Sequence, residues 1–320
     1  MTSLEKLPIV LAIRHWDVAP WFARFRASAP DREIIVAEPG FDAPPRAYVL
    51  CAWKAEPIIY QLQPPPQLIC SLGAGVDHIM RANPPAGVPV TRIVDPDLTG
   101  RMVEYVVLHA LHHFRRMSEH AVAQSERRWL SLDQPAAREV TVGLMGVGEM
   151  GQAAAKGLMA IGFKVVGWGR TARPCLGFEG FAGADGLHDF LGKTDILVSL
   201  LPSTPETFSL IGMDLFCHLR NSGPLGAPAF INAGRGDTVN EQELIAALRM
   251  GIVRAASLDV FRVEPLPPQS PFWEMPNVVL TPHNAADSSP DAIVTAVLAE
   301  IARAEAGLPA LHPVDPAQGY

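Results

Sequence analysis

The sequence predicts an α/β protein with two doubly wound, parallel-sheet domains and a cleft between them. Short apolar runs alternate with helical patterns in the first hundred residues, and a second alternation of the same kind starts near residue 139. Strands that alternate with helices pair in parallel, because each helix returns the chain to the same edge of the sheet. A chain of 320 residues is also longer than one compact core usually supports.

The whole-chain composition is that of an ordinary globular protein. Charged residues make up 18% of the chain, apolar residues 48%, and the net charge is −7. An acidic chain lacks the basic surface that non-specific nucleic-acid binding needs. The four cysteines show no CxxC spacing, which disfavours a zinc site or a disulfide framework. Because no signal peptide or membrane span is visible, we expect a cytoplasmic protein.

The first alternation contains four predicted strands, each a short apolar run bounded by turn residues. They lie at residues 8–14, 33–38, 48–53 and 67–72. Helical patterning separates some of them, as at residues 21–28, and prolines crowd the connections. This pattern predicts a small parallel sheet with helices outside it.

Residues 100–128 predict one long helix capped by Thr99. The segment contains no proline, and its apolar residues recur at helical spacing. Four histidines lie along it: His109, His112, His113 and His120. Histidines at such spacing can bind zinc, but no acidic third ligand accompanies them, so we expect solvated histidines or contacts between helices.

The second alternation begins with one complete βαβ unit. A strand at 140–145, a glycine-rich turn, a helix at 152–161 and a strand at 164–168 follow one another closely. Later segments predict four more strands and a last helix, at residues 196–201, 229–232, 255–260, 278–281 and 291–307.

The turn of this βαβ unit carries the pattern GxGxxG. The first glycine permits a tight strand exit, the second lets a pyrophosphate approach the backbone, and the third allows close helix–strand contact. The free N–H groups of the following helix then face the phosphates. Because the pattern follows a strand and opens a helix, it predicts a Rossmann-type dinucleotide site. The residues assigned to it are Gly146, Val147, Gly148, Glu149, Met150 and Gly151.

The end of the next strand indicates which dinucleotide binds. An NAD enzyme usually has an Asp or Glu there, ~20 residues after the glycines, to accept from the ribose 2′-hydroxyl. This chain has Gly169, followed by Arg170, Thr171 and Arg173. Two arginines and a hydroxyl group can bind a 2′-phosphate. Although such arginines can also belong to an ordinary surface loop, we expect NADP in preference to NAD.

Three further residues, Arg235, Glu264 and His283, follow three successive predicted strands. Ligands of open α/β sheets bind beyond the carboxyl ends of the strands. A guanidinium group can pair with the carboxylate and ketone oxygens of a 2-oxo acid. A histidine kept charged by a carboxylate can donate a proton to the carbonyl oxygen as hydride arrives. The set predicts an enzyme that reduces a small 2-oxo acid to the 2-hydroxy acid with NADPH.

These motifs resemble the D-isomer-specific 2-hydroxyacid dehydrogenases, and within that family the glyoxylate/hydroxypyruvate reductase A type. The matching stretches lie at residues 72–77, 143–151, 231–236, 257–267 and 281–286, and the closing DPAQGY is similar as well. The resemblance runs from about residue 53 to the end. It implies flavodoxin-like and Rossmann domains: 1–99, completed by 286–320, for the substrate, and 100–285 for the dinucleotide.

The resemblance also implies roles for individual residues. Arg235 would anchor the substrate, His283 would donate the proton and Glu264 would be its partner. Substrate contacts would come from Trp53, Gly73, Ala74 and Gly75. The nicotinamide amide would be held by Asp259 and the carbonyl of Ala233. The adenosine side would be covered by Leu201 and Pro202. Glyoxylate or hydroxypyruvate would be the substrate, no metal would be bound, and the protein would be a homodimer.

Two alternatives stay open. The β-hydroxyacid dehydrogenases have a similar cofactor turn, but theirs opens the chain, whereas about 140 residues precede it here. Their catalytic lysine also has no counterpart, because Lys193 is the last lysine in the sequence. The second alternative is a non-catalytic NAD(P)-sensing protein of the corepressor kind, which can retain the Arg/Glu/His set.

Overall fold

The computed structural model describes residues 6–171, 177–316 and 318–319. The chain forms two compact units, Met1–Leu98 with Ser288–Tyr320, and Thr99–Asp287. Each unit is built on one parallel sheet, so the predicted α/β class with two parallel sheets is confirmed. Within the described residues, every helix is too short or too polar to span a bilayer.

The first unit contains a five-stranded sheet in the order β2-β1-β3-β4-β5. Its strands are β1 (Ile9–Ile13), β2 (Ile34–Val36), β3 (Val49–Trp53), β4 (Leu68–Ser71) and β5 (Val90–Thr91). The helices of this unit are α1 (Val18–Ser28), α2 (Asp77–Met80) and, from the C-terminal segment, α9 (Pro290–Glu305). The strands are apolar on both faces because helices and loops cover both sides of the sheet.

The second unit contains a seven-stranded sheet in the order β12-β11-β10-β9-β6-β7-β8. Its strands are β6 (Thr141–Met145), β7 (Lys164–Gly169), β8 (Glu179–Ala182), β9 (Ile196–Ser199), β10 (Ala229–Asn232), β11 (Ala255–Leu258) and β12 (Val278–Leu280). The helices are α3 (Pro96–Phe114), α4 (Met117–Ser125), α5 (Glu149–Ile161), α6 (Leu187–Lys193), α7 (Met213–His218) and α8 (Glu241–Met250). Four short 3₁₀ turns complete the two units, at Pro57–Gln61, Ala137–Glu139, Gly236–Thr238 and Pro271–Glu274.

Alternate residues of the seven-stranded sheet enter two apolar clusters. Leu197 and Phe230 belong to the cluster that also contains Phe216 of α7. Their chain neighbours, such as Val198, belong to the cluster that contains Leu158 of α5. Since successive strand residues point to opposite faces, helices cover both faces of this sheet.

The prediction of one helix over residues 100–128 is wrong at both ends. Helix α3 begins at Pro96, and Asp95 caps it, because a carboxylate oxygen of Asp95 accepts from the N–H of Asp97 at 3.0 Å. Thr99, the predicted cap, therefore lies inside α3. The helix ends at Phe114, and α4 follows Arg116, whose backbone is left-handed (φ 56°). The sequence has no glycine or proline at this break, so nothing local signals it.

Candidate active site

The structure brings the three predicted catalytic residues to one edge of the seven-stranded sheet. Strands β10, β11 and β12 are neighbours and run in parallel. Arg235 follows β10, Glu264 follows β11 and His283 follows β12. Because the carboxyl ends of adjacent parallel strands meet at the same edge, the three loops lie side by side.

His283 and Glu264 are in direct contact. The imidazole Nδ1 lies 2.7 Å from the Glu264 Oε2, and the side chain of His283 is 45% exposed. The second carboxylate oxygen of Glu264 accepts from the backbone N–H of Phe261 at 3.1 Å, which orients the carboxylate. A carboxylate in this position fixes the orientation of the ring.

Asp259 holds the turn that carries His283. The His283 backbone is left-handed (φ 55°), which is unfavourable for a non-glycine residue. The Asp259 carbonyl accepts from the His283 N–H at 2.8 Å, and its carboxylate accepts from the N–H groups of Asn284 and Ala285, each at 3.0 Å. Sequence reasoning did not reveal this role, because it depends on a turn 25 residues further along the chain.

Two hydroxyl groups connect the Asp259 carboxylate to helix α3. The Thr281 hydroxyl donates to the Asp259 carboxylate at 2.6 Å, and the Tyr105 hydroxyl lies 3.0 Å from the Thr281 oxygen. Tyr105 and Asp259 are both buried. One buried carboxylate therefore accepts hydrogen bonds both from the turn and from the Thr281 side chain.

The Arg235 loop is held by its own side chains. The amide of Asn232 accepts from the Gly234 N–H and donates to the Arg235 carbonyl, both at 3.2 Å. The Thr238 hydroxyl donates to the same carbonyl at 2.7 Å. A Cβ atom on Gly236 would lie 2.0 Å from the carbonyl carbon of Phe261, so only glycine fits there. The loop after β10 therefore packs directly on the backbone after β11.

The glycine turn has the shape that a pyrophosphate needs. Gly146 has φ +99°, and its N–H donates to the Trp168 carbonyl at 2.9 Å. A Cβ on Gly151 would lie 2.1 Å from the Gly146 oxygen, whereas a Cβ on Gly148 would meet nothing within 4 Å. Helix α5 starts at Glu149 without a side-chain cap, so its first N–H groups are available to a phosphate. Val147 is buried under this turn, and Met150 is half-buried in the first turn of α5.

The loop after β9 lies against Gly146 of the glycine turn and against Gly234 of the Arg235 loop. A Cβ on Gly146 would approach the Leu200 oxygen to 2.9 Å, and one on Gly234 would approach the Leu201 oxygen to 2.7 Å. Leu201 thus lies against the Arg235 loop, which contains Ala233, and Pro202 follows Leu201 in the chain.

The end of β7 exposes the predicted 2′-phosphate ligands. Arg170 and Thr171 are exposed, and Arg173 lies outside the described residues. A carboxylate that the sequence did not indicate, Glu206, also lies within electrostatic reach of Arg170. Hydrogen bonds from the Glu206 N–H and from Thr204 hold the pKa of Glu206 below its usual value, and Arg170 lowers it further.

In the first unit, the predicted substrate residues also meet. Residues 73–75 follow β4, and Ser71 organises them: its hydroxyl oxygen accepts from the Gly73 N–H at 3.2 Å and donates to the Gly75 carbonyl at 2.9 Å. Trp53 ends β3, and a Cβ on Gly73 would lie only 2.5 Å from its Cζ3. Trp53 therefore packs directly against this loop, with Ala74 half-buried beside it.

The histidines of α3 make contacts between elements. His109 Nδ1 and His113 Nε2 lie 2.7 and 2.8 Å from the hydroxyl of Ser257 on β11. His112 Nε2 lies 2.9 Å from the hydroxyl of Ser118. Burial lowers the pKa of His109 to about 4 and that of His113 well below its usual value. Across the part of the chain that the structure describes, no group of His, Cys, Asp or Glu side chains is arranged as metal ligands.

Comparison with known proteins shows the family of this chain. Residues 107–285 match the family model described as "D-isomer specific 2-hydroxyacid dehydrogenase, NAD binding domain". The chain is 36% identical to glyoxylate/hydroxypyruvate reductase A of Serratia proteamaculans over 311 residues, which cover 95% of this chain and 97% of that protein.

Two solved structures are similar over nearly the whole chain. The NADPH-dependent glyoxylate/hydroxypyruvate reductase of Sinorhizobium meliloti, in complex with NADP and sulfate, is 42% identical with a TM-score of 0.91. A probable 2-hydroxyacid dehydrogenase of Rhizobium etli, in complex with NADP, HEPES and L(+)-tartaric acid, is 42% identical with a TM-score of 0.92. Each comparison covers 98% of this chain and 100% of the other.

The chain belongs to the D-isomer-specific 2-hydroxyacid dehydrogenase family. The resemblance on which the sequence interpretation depends, including its likeness to the glyoxylate/hydroxypyruvate reductase A type, is confirmed. The β-hydroxyacid dehydrogenase alternative is thereby set aside.

Proposed function

We propose that this protein is an NADPH-dependent reductase of small 2-oxo acids, of the glyoxylate or hydroxypyruvate kind. The observation that carries the proposal is the contact between His283 and Glu264 at the sheet edge that also bears Arg235. An imidazole beside a carboxylate, next to a guanidinium group, suits proton donation to the ketone of an anionic substrate. The names of the Serratia and Sinorhizobium relatives support the same reaction.

In the proposed mechanism Arg235 binds the carboxylate and the ketone oxygen through its planar fork. Glu264 holds Nδ1 of His283, so Nε2 is the atom that donates a proton to the ketone oxygen. Bound NADPH supplies the hydride. When the proton leaves, Glu264 faces a neutral imidazole, and re-protonation from solvent restores the pair.

The remaining roles come from the family resemblance and the local geometry. The N–H groups of residues 73–75 would bind the substrate carboxylate, and Trp53 would line the pocket. The glycine turn at 146–151 would bind the pyrophosphate, since Gly148 leaves space and α5 offers free N–H groups. Arg170, Thr171 and Arg173 would bind the 2′-phosphate. Asp259 would hold the His283 turn and, with the Ala233 carbonyl, the nicotinamide amide.

A homodimer and a cytoplasmic location belong to the same proposal. In the single chain, the side chain of Trp129, which follows α4, is fully exposed. A large apolar side chain in that state is often covered by a partner. A second copy of the chain is the partner we propose.

The direct test is the oxidation of NADPH at 340 nm with glyoxylate and with hydroxypyruvate. We expect turnover with both acids and a higher kcat/KM with NADPH than with NADH. Binding of NADPH without turnover of any 2-oxo acid would contradict the proposal and would favour the non-catalytic, corepressor-like alternative.

The cofactor assignment has its own test in the double variant Arg170→Ala with Arg173→Ala. Loss of two charge-assisted contacts should raise the KM for NADPH roughly 10–100-fold and leave the KM for NADH nearly unchanged. Glu206→Gln is the matched control, because it removes a negative neighbour of Arg170 and should lower the KM for NADPH slightly. Equal effects on the two cofactors would refute the 2′-phosphate site.

A further inference from the structure

Three tryptophans form a stack at the carboxyl edge of the five-stranded sheet. The ring centroids of Trp16 and Trp53 are 4.3 Å apart with 14° between the ring planes. Those of Trp16 and Trp21 are 5.3 Å apart with 10° between the planes. Trp16 therefore stacks on both of the other indoles and is nevertheless 39% exposed.

The strand register brings Trp16 to Trp53. Ile13 of β1 is paired with Trp53 of β3, and the Arg14 N–H donates to the Trp53 carbonyl at 2.9 Å. His15 then adopts a left-handed backbone (φ 65°), which turns the chain just before Trp16. The guanidinium of Arg14 also pairs with Glu56, beyond Trp53 in the chain. The backbone of residues 13–15 and that of Trp53 therefore determine the contact between the two indoles.

Trp53 is confined on its remaining sides as well. Its benzo ring occupies the space that a Cβ on Gly73 would need, at 2.5 Å from Cζ3 and 3.1 Å from Cη2. The His78 ring meets it edge-on, with centroids 5.0 Å apart and 66° between the planes. Trp53 is therefore in contact with Trp16, with His78 and with the loop of residues 73–75.

We propose that Trp16 is a specificity-determining residue. It packs against Trp53 and thereby limits the size of the 2-oxo acid that the protein accepts. The inference rests on the proposed function, in which N–H groups of residues 73–75 bind the substrate carboxylate. The substituent on C2 is only two bonds from that carboxylate carbon, so it lies beside the indole that packs on Gly73. A fixed indole leaves room for hydrogen or hydroxymethyl and excludes branched alkyl groups.

Trp16 acts through Trp53 and does not need to touch the substrate. Parallel aromatic rings at this spacing attract each other, so the stack holds the Trp53 ring in one rotamer. With Trp16 truncated, the Trp53 ring gains space on the face that Trp16 covers. The pocket then enlarges without any change to the groups that perform proton transfer.

The test compares kcat/KM for glyoxylate and for 4-methyl-2-oxopentanoate, with NADPH, in wild type and variants. Trp16→Ala should raise the ratio of branched acid to glyoxylate at least roughly tenfold, which is the usual effect of a methylene-sized change in a pocket. Trp16→Phe keeps an aromatic ring on Trp53 and should stay within about threefold of wild type. Ile58→Ala, a large-to-small change at an exposed position of the same unit, is the control and should leave the ratio unchanged.

The outcomes separate this inference from the proposed function. An active wild type with an unchanged ratio in a folded Trp16→Ala protein overturns the inference alone. A wild type that reduces no 2-oxo acid overturns both. Should Trp16→Ala not fold, Trp16→Leu serves in the same measurement, because it keeps apolar cover and loses the stack. A raised ratio in that variant supports the inference, and an unchanged ratio overturns it.

Discussion

Two groups of histidines in the seven-stranded unit differ in partner and in burial. His283 contacts a carboxylate at the sheet edge and is 45% exposed. His109 and His113 contact one hydroxyl, that of Ser257, and only 5% and 1% of their surfaces are exposed. The residues that hold the two groups are close together in the chain. Ser257, the partner of His109 and His113, lies on β11, and Asp259, which holds the His283 turn, directly follows this strand. Environment, and not position in the chain, decides which histidine can hold a proton.

The physical reason is the cost of a buried charge. A hydroxyl group can donate to one ring nitrogen and accept from the other, which satisfies two neutral imidazoles. It provides no negative charge, so burial disfavours protonation of both rings. The carboxylate beside His283 does provide a negative charge, and the ring of His283 is exposed to water. Of these three histidines, we therefore expect His283 to be the one that exchanges a proton with a substrate.

The largest expected effect is on catalysis. His283→Ala should lower the rate of 2-oxo acid reduction roughly 10²–10⁴-fold, because it removes the proposed proton donor. NADPH binding, followed by fluorescence titration, should persist. The matched change in the buried pair, His113→Gln, should leave the rate of the folded protein near that of wild type. Comparable losses of rate in His283→Ala and His113→Gln would contradict the distinction between the two groups of histidines.

The next effect is on stability at acidic pH. A histidine in the unfolded chain has a pKa of about 6.5, whereas folded His109 has a pKa of about 4. Between these values the unfolded state binds a proton that the folded state does not, so stability falls as pH decreases from about 6.5 to about 4. The contribution of His109 is on the order of 3 kcal/mol.

Chemical unfolding at several pH values measures this. His109→Gln should flatten the decline of the unfolding free energy below pH 6.5, and His218→Gln, at an exposed histidine, should not. Parallel curves for wild type and His109→Gln would mean that His109 does not titrate on unfolding in this range.

A smaller effect is expected when the shared hydroxyl is removed. Ser257→Ala leaves two buried ring nitrogens without their partner and should lower the unfolding free energy by about 2 kcal/mol. Because the hydroxyl of Ser257 makes its hydrogen bonds to His109 and His113, kcat should change less than threefold. A tenfold loss of kcat without loss of stability would instead place the buried pair within the catalytic machinery.

The smallest effect concerns the carboxylate itself. Glu264→Gln removes the negative partner of His283, so the protonated ring persists only at lower pH. The alkaline limb of the pH–rate profile for reduction should move to lower pH. Glu274→Gln, at an exposed carboxylate further along the same segment, should leave the limb in place. An unmoved limb in Glu264→Gln would remove Glu264 from the partner role.

The features that the sequence predicted well are those with local signals. Apolar runs bounded by turn residues located most of the strands, and the glycine spacing located the turn before α5. The order of Arg235, Glu264 and His283 after successive strands placed them at one sheet edge, as the topology has them. Their individual catalytic roles stay predictions.

The features that it missed depend on contacts between distant segments. Strand β5 has two residues and β8 is partly exposed, so neither has a marked apolar pattern, and pairing alone defines them. The left-handed Arg116 that separates α3 from α4 has no local signal. Asn232, Ser71 and Ser257 organise loops or rings through hydrogen bonds, and an isolated polar residue in a sequence does not reveal its partner.

The close approach of Gly236 to Phe261 has a consequence for protein engineering. Arg235 and Glu264 belong to loops whose backbones touch, and one methyl group at position 236 would push these loops apart. The two loops can therefore be replaced only together. A graft of the arginine loop from another family member has to bring the segment after β11 with it, or the spacing of both groups will be lost.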